Sequence, residues 1–290
     1  MANVIVWNRH DYVQQMRARI NVPTTWTDVL NVLYSDNRTI VNGAITESTV
    51  VPASLTRDSA YTYDDFTIAA DTLTINGTYV CPMFVDEADR HQQTYVQQMA
   101  LAAYQAKKLN ETVETLFLAT HTSWTNFGAT DLANTGADDT TQITVSASNI
   151  DDLIRAIKRK LYVNNGVDKA VENGICIVWR AADFELLEAF VQANGFTEAD
   201  IALKNGIPVQ KAFRYMGVDH YLSTSHATGG HLFAGIKGAG EIGVLRSTFG
   251  RAKFIEDPNN VSGLGVVTRV DYGFNWPAYN IQFVMDVNVA

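Results

Sequence analysis

The chain has 290 residues, 47% hydrophobic and 18% charged, with a formal net charge of −9. That is enough apolar content for a large core in one or two domains, while the acidity argues against a protein that grips nucleic acid, which needs clustered Lys and Arg. No stretch approaches the roughly 20 apolar residues that span a bilayer, and the first ten residues lack the basic-then-apolar layout of a signal peptide, so folding in a cytoplasm is expected.

No internal repeat, low-complexity tract or Pro-rich linker divides the chain, so its organisation is read from changes in periodicity. Residues 1–42 hold one short amphipathic helix near 25–34 and otherwise read as an arm with too few core positions to fold alone. Residues 43–82 carry strand-like alternation around 46–51 and 71–80, separated by a polar stretch with Arg57, Asp58, Asp64 and Asp65. This pattern predicts a long two-stranded excursion. Residues 83–147 contain the strongest signal: from Glu87 to about Ala119 there is neither Gly nor Pro, and Ala88, Tyr95, Ala102, Leu109 and Leu116 recur seven apart, interleaved with Met99, Ala106 and Val113. One helix of roughly 50 Å follows, at 1.5 Å per residue. Asp86, Glu87 and Asp89 suit the positive end of its dipole. Met99, Ala102 and Ala106 are expected on its packed face. A coiled-coil dimer is the alternative, disfavoured because the aligned positions are small and mixed instead of Leu and Ile.

From Ser148 onward helices alternate with strands. Ser148 or Asn149 can cap a helix opening at Ile150, and Asn164-Asn165-Gly166 ends it. Its run of Arg155, Lys158, Arg159 and Lys160 reads as a solvated face opposite Ile150, Leu153, Ile154, Ile157 and Leu161. Residues 174–180 (GICIVWR) read as a buried strand, followed by an amphipathic helix through Phe184, Leu187, Phe190 and Val191 that stops at Gly195. Beyond Ile207 the pattern is mostly strand, with turn chemistry at Gly217, Gly229-Gly230, Pro258-Asn259-Asn260 and Gly263. The fold class is α+β.

Several motifs invite an enzymatic reading. Asp86-Glu87-Ala88-Asp89 spells the magnesium box of a helicase family, yet no GxxxxGK[ST] loop exists to hold a nucleotide. Gly238-Ala239-Gly240-Glu241-Ile242-Gly243 matches the GxGxxG fingerprint of a nicotinamide-dependent oxidoreductase, but Val244 to Gly250 has no helical apolar face; a glycine-rich bend between antiparallel strands is expected. His220, His226 and His231 sit in turn-rich sequence without HExxH spacing, and there is no Gly-x-Ser-x-Gly elbow. Cys81 and Cys176 fit no metal spacing and read as buried reduced thiols. No catalytic, cofactor-binding or metal residues are therefore assigned, and no cofactor is expected.

The order of these segments, together with four strings, carries a resemblance. Residues 79–93 (YVCPMFVDEADRHQQ), 175–190 (ICIVWRAADFELLEAF), 205–224 (NGIPVQKAFRYMGVDHYLST) and 270–277 (VDYGFNWP) are similar to stretches of tailed-bacteriophage major capsid proteins, the Hong Kong 97-like capsid fold. The resemblance covers nearly the whole chain, through joint order more than through any one motif. It implies an N-terminal arm (1–42), an extended two-stranded loop (43–82), a peripheral domain with a long spine helix (83–147), an axial domain (148–234), and C-terminal strands (235–290) returning to both. It further implies self-assembly into pentamers and hexamers of an icosahedral phage head that encloses double-stranded DNA without binding it specifically. The expected partners are copies of itself, a portal protein, a separate scaffolding protein, since only about forty residues precede the loop, and in some systems a decoration protein. The expected location is the virion capsid, assembled in the host bacterial cytoplasm. An encapsulin-type nanocompartment shell is the nearest rival. A polar loop too long for its own domain makes sense if neighbours supply its partners, which makes Arg57, Asp58, Asp64 and Asp65 the candidate inter-subunit contacts.

Overall fold

The computed structural model describes residues 9–20, 24–45, 68–86, 95–135, 139–164, 166–194, 211–226, 230–256 and 263–290. In chain order the elements are α1 (Arg9–Ile20), α2 (Thr25–Val29), β1 (Asn31–Ser35), β2 (Thr39–Ile45), β3 (Ile68–Thr74), β4 (Gly77–Asp86), α3 (Tyr95–Ala119), β5 (Thr125–Phe127), α4 (Ala129–Ala133), α5 (Ile150–Val163), α6 (Val167–Asn173), β6 (Ile175–Trp179), α7 (Ala181–Ala193), β7 (Lys211–Tyr215), β8 (Val218–Leu222), β9 (His231–Ile236), β10 (Glu241–Leu245), β11 (Ala252–Glu256), β12 (Gly263–Asn275) and β13 (Val284–Asn288).

Among the described residues the strands form three sheets. In the first, β12 is the centre: β4 runs antiparallel along one side of it, while β10 and β11 pair with its two ends on the other, and β1 lies parallel to β10. The second has the order β5-β13-β9-β6-β8-β7. The third is the ribbon β2–β3, paired from Thr39↔Thr74 to Ile45↔Ile68.

The spine helix α3 links the two larger sheets. Its 25 described residues contain no Gly or Pro and extend about 38 Å. Ala102, Ala106, Leu109, Val113 and Phe117 fall on one face by their spacing of three and four, and all are buried in the main core. At its C-terminal end Phe117 meets Phe233 of β9 edge-on, with ring centroids 5.1 Å apart, and Phe233 meets Trp124 at 4.9 Å. In the second sheet all five residues of β6 are buried, and α5 and α6 pack on β9. That environment explains the unbroken apolar run of β6, since neither face has water to meet.

The structure corrects several expectations. The helix near 25–34 ends at Val29, and 31–35 is strand β1; Asn31, Val32 and Leu33 take register against Glu241, Ile242 and Gly243. The arm is also not coreless: α1, missed because RHDYVQQMRARI is so polar, buries Tyr12 and Met16 completely, and Trp26 of α2 is buried too. The Tyr12 hydroxyl donates to Gln105 Oε1 on α3 (2.6 Å), and the Gln105 amide donates to the carbonyls of Cys81 (3.0 Å) and Val266 (3.2 Å). One buried side chain thus ties the arm, the spine, β4 and β12 together.

The expected single strand 71–80 is two strands in different sheets, β3 and β4, broken at Ile75–Asn76. Asp86 is the last residue of β4, paired with Gly263; residues 87–94, with Glu87 and Asp89, lie outside the described residues. Asn149 does occupy the N-cap of α5, but its side chain accepts from Ser146 N (2.8 Å) and makes no cap bond. The basic run on α5 is not simply a solvated face. Lys158 donates to the Met216 carbonyl (2.7 Å), Arg159 to the Asp131 carbonyl (2.7 Å), and Lys160 pairs with buried Asp131 (2.9 Å), so only Arg155 matches the expectation, paired with Asp151 on its own helix. Of the two thiols, both free, Cys176 is buried and Cys81 only partly.

Candidate functional site

The glycine-rich run at 238–243 joins β9 of one sheet to β10 of another, so it is not a bend between paired antiparallel strands. Gly238 takes a positive φ in the turn, while Gly240 and Gly243 admit close neighbours. Gly243 of β10 sits opposite Gly273 of β12, and this bare pair leaves a slot in the first sheet. A Cβ on Gly243 would come within 2.2 Å of Leu73 Cδ2, and one on Gly273 within 2.1 Å of the Thr74 carbonyl oxygen. The end of β3 therefore lies directly on the sheet backbone. Leu73, Ile75 and Leu245 form a small second core there, with Leu33 and Ile40 against it.

Polar contacts fasten the same root. Asn42 donates to Glu241 Oε2 (2.9 Å), Asn275 donates to Asp71 Oδ2 (2.7 Å), and Ile75 N donates to the Arg38 carbonyl (2.7 Å). Glu241 is nearly inaccessible to solvent; burial pushes its carboxyl up, and bonds from Asn275 and Asn42 oppose that shift. The fingerprint's acidic residue is thereby used to hold the ribbon. The distal part of the excursion, 46–67, with Arg57, Asp58, Asp64 and Asp65, lies outside the described residues.

Two further surfaces expose apolar side chains. The first is β4, which among the described residues has a strand partner on one side only. Along it Thr78, Val80, Pro82 and Phe84 alternate outward, and Val80 is 52% and Phe84 48% exposed. An edge of ten residues with apolar side chains is a ready template for another chain, and Pro82, which lacks an N–H, is tolerated because the edge is free. The second lies at the α5–α6 corner. Val167 and Val171 share a face of α6 four residues apart and are 48% and 81% exposed, near Val163 at the end of α5 at 74%. The other side of α6 is docked through Lys169, which donates to Asn280 Oδ1 (2.7 Å) and lies 4.5 Å from the Phe283 ring centroid. Sequence reading missed both surfaces, since an apolar residue is exposed or buried only by virtue of its neighbours. A Pro within an alternating run was the one signal available for β4.

Two of the three histidines are in strands instead of turns, and His226 lies outside the regular elements. His220 lies within β8 and His231 opens β9. Trp179 Nε1 donates to His220 Nδ1 (2.8 Å), leaving Nε2 to face the Tyr215 carbonyl (3.3 Å), and burial lowers this ring to about 4. Both nitrogens are committed to the core, which leaves none for acid–base work. His226 is likewise lowered to about 4, mainly by burial.

No protein-family model matches the chain, and no curated protein does. Solved structures do match. The chain is similar to the capsid of the cyanophage P-SCSP1u, with a TM-score of 0.61 at 10% identity, covering 92% of this chain and 88% of that one. It is similar to a structure from Mycobacterium phage Che8 at a TM-score of 0.57 and 13% identity, covering 92% and 96%. A virus-like particle from Pyrococcus furiosus matches at a TM-score of 0.58 and 10% identity, covering 98% and 100%. The chain has the Hong Kong 97-like fold shared by tailed-phage capsid proteins and related shells. No described helix is long and apolar enough to cross a membrane.

Proposed function

We propose that the chain is the major capsid protein of a tailed bacteriophage, a subunit that closes into pentamers and hexamers of an icosahedral head around double-stranded DNA. The observation that carries this reading is the agreement in fold with phage capsids over about nine-tenths of both chains. The surfaces suit it. A ribbon rooted in its own subunit, a β4 edge with a strand partner on one side only among the described residues, and an apolar α5–α6 corner offer several separate contacts per subunit. Contacts that are individually modest hold firmly when many act together on each subunit. In this reading the axial domain expected over 148–234 surrounds the symmetry axes of the pentamers and hexamers, and the peripheral domain expected over 83–147, with α3, makes the outer contacts. Arg57, Asp58, Asp64 and Asp65 are proposed to meet a neighbour at the ribbon tip. Partners are copies of the chain, a scaffolding protein, a portal protein and, in some systems, a decoration protein, and the shell acts by containment, not catalysis.

A shell around protein cargo, of the encapsulin type, is the second reading, favoured by the nearly complete mutual coverage with the virus-like particle. Expression of the chain with its scaffold, followed by sedimentation and electron microscopy, tests the shell, and nuclease-protected DNA inside native particles separates the two readings. Deletion of residues 52–66 is expected to leave a folded subunit that no longer forms shells. Monomers that never assemble, or normal shells from the deletion, would overturn the corresponding claim.

A further inference from the structure

We propose that His121, His231 and Asp286 form a binding site for a divalent first-row transition metal, with Zn²⁺ the ion the ligand set suits best. The three residues come from segments distant in sequence. His121 lies in the 3-10 turn Thr120–Ser123 that follows α3, His231 opens β9, and Asp286 is the middle residue of β13. Register explains part of the convergence: Asp286 pairs with Phe233 and Asn288 with His231, so His231 and Asp286, two residue pairs apart on adjacent strands, point to the same face as diagonal neighbours. The turn after the spine then brings His121 over that face, its ring stacked on that of His231 with centroids 3.9 Å apart and planes 20° apart.

Both Nδ1 atoms aim at the same carboxylate. His231 Nδ1 lies 3.0 Å and 2.9 Å from the two Asp286 oxygens, and His121 Nδ1 lies 3.3 Å from Oδ2. One ligand atom from each residue falls within 4.8 Å of the others. In a tetrahedral site with bonds near 2.0–2.1 Å the ligand atoms stand roughly 3.3 Å apart, so small ring rotations would seat an ion. Two imidazoles and a carboxylate are borderline ligands of the kind that hold Zn²⁺, Co²⁺ or Ni²⁺ and would hold Ca²⁺ or Mg²⁺ poorly.

Charge and access agree with this. The Asp286 side chain is 4% exposed, and among the described residues its only ionisable partners are the two histidines. A dication bound there would supply counter-charge to this buried carboxylate. The histidine side chains are 20% and 26% exposed, which leaves an entry path and an open position for water. Bound there, the ion would fasten the end of the spine to β9 and to the C-terminal strand.

The test uses the full-length chain, stripped with a chelator and titrated with Co²⁺ as a coloured probe. The expected result is saturable binding of one ion per chain with visible ligand-field absorption, displaced by Zn²⁺ and not by Mg²⁺, together with a Zn²⁺-dependent rise in melting temperature. Each of His121→Ala and His231→Ala, at partly exposed positions where folding is readily checked by circular dichroism, is expected to weaken binding by at least about tenfold. His10→Ala, at an exposed position on α1, is expected to leave it unchanged. Absence of saturable binding to the parent chain, or binding that survives both ligand substitutions, overturns the site.

Discussion

The glycine pair beneath the ribbon offers a sharp test of how the excursion is rooted. Gly243 and Gly273 face one another across β10 and β12, and neither takes the left-handed backbone that would strain another residue. Alanine at either position removes some freedom from the unfolded chain, worth about 0.4–1 kcal/mol in favour of the fold, so any net loss must come from crowding. At Gly273 the new methyl meets only backbone: the Thr74 carbonyl oxygen at 2.1 Å, its carbon at 2.8 Å and Ile75 Cα at 3.0 Å. Nothing there can rotate away, so the ribbon root must lift, at an overpacking cost of about 1–3 kcal/mol. At Gly243 the obstacle is the tip of Leu73, at 2.2 Å, and then Ile75 side-chain atoms at 3.1 Å and beyond, which can shift rotamer. Gly273→Ala is therefore expected to destabilise by about 1–2 kcal/mol net, and Gly243→Ala by less than about 1 kcal/mol. Urea unfolding of the purified subunit measures both, and assembly yield reports whether the lifted ribbon still reaches its neighbour. Equal stability of Gly273→Ala and parent, or the reverse ranking of the two, would refute the close-approach reasoning.

Three other outcomes are expected. Ala102 is fully buried on α3, so Ala102→Glu places an unpaired charge in the core at a cost of at least several kcal/mol; soluble, cooperatively folding protein would sink that placement. His220, held at about 4 by burial against an ordinary 6.5, is folded as the neutral ring. Its contribution is complete above about pH 6.5 and declines as pH falls toward 4, because the unfolded chain takes up the proton first, a loss of about 3 kcal/mol at 1.36 kcal/mol per unit. His220→Gln, whose amide oxygen can still accept from Trp179, should flatten the pH dependence of urea unfolding over that window, and an unchanged slope would count against it. Finally, the first lysine of the chain is Lys107, so the ribbon has no primary amine to form an isopeptide bond with a neighbour. Particles boiled in detergent and reductant are expected to release one band at 32.0 kDa, and a covalent ladder would contradict this.

Periodicity over a single element was legible without coordinates. The spine helix from Tyr95 on, its buried Ala102 and Ala106, the apolar strand 175–179 and the helix ending near Ala193 all follow from local spacing. So did the α+β class; the ribbon seen is β2 against β3, with β2 at 39–45, ahead of the expected strand 46–51, which lies outside the described residues. The joint order of segments pointed to the shell fold where no single motif would have done so.

Tertiary structure decided what depends on pairs distant in the chain. Whether 71–80 was one strand or two turned on β4 finding β12, nearly two hundred residues later. A polar helix such as α1 declares itself only when Tyr12 reaches Gln105. The GxGxxG run looked like a nucleotide loop because glycine signals close backbone approach without saying what approaches; here it is Trp276 at Gly240, and Leu73 and Ile75 of the ribbon root at Gly243. His121, His231 and Asp286 carry no spacing signature at all, since they meet through strand register and the turn after a helix. Local pattern encodes the period of a helix or strand, whereas the partner a face meets is set by the minimum of the whole chain's packing energy, and that is where the contact surfaces and the proposed metal site arise.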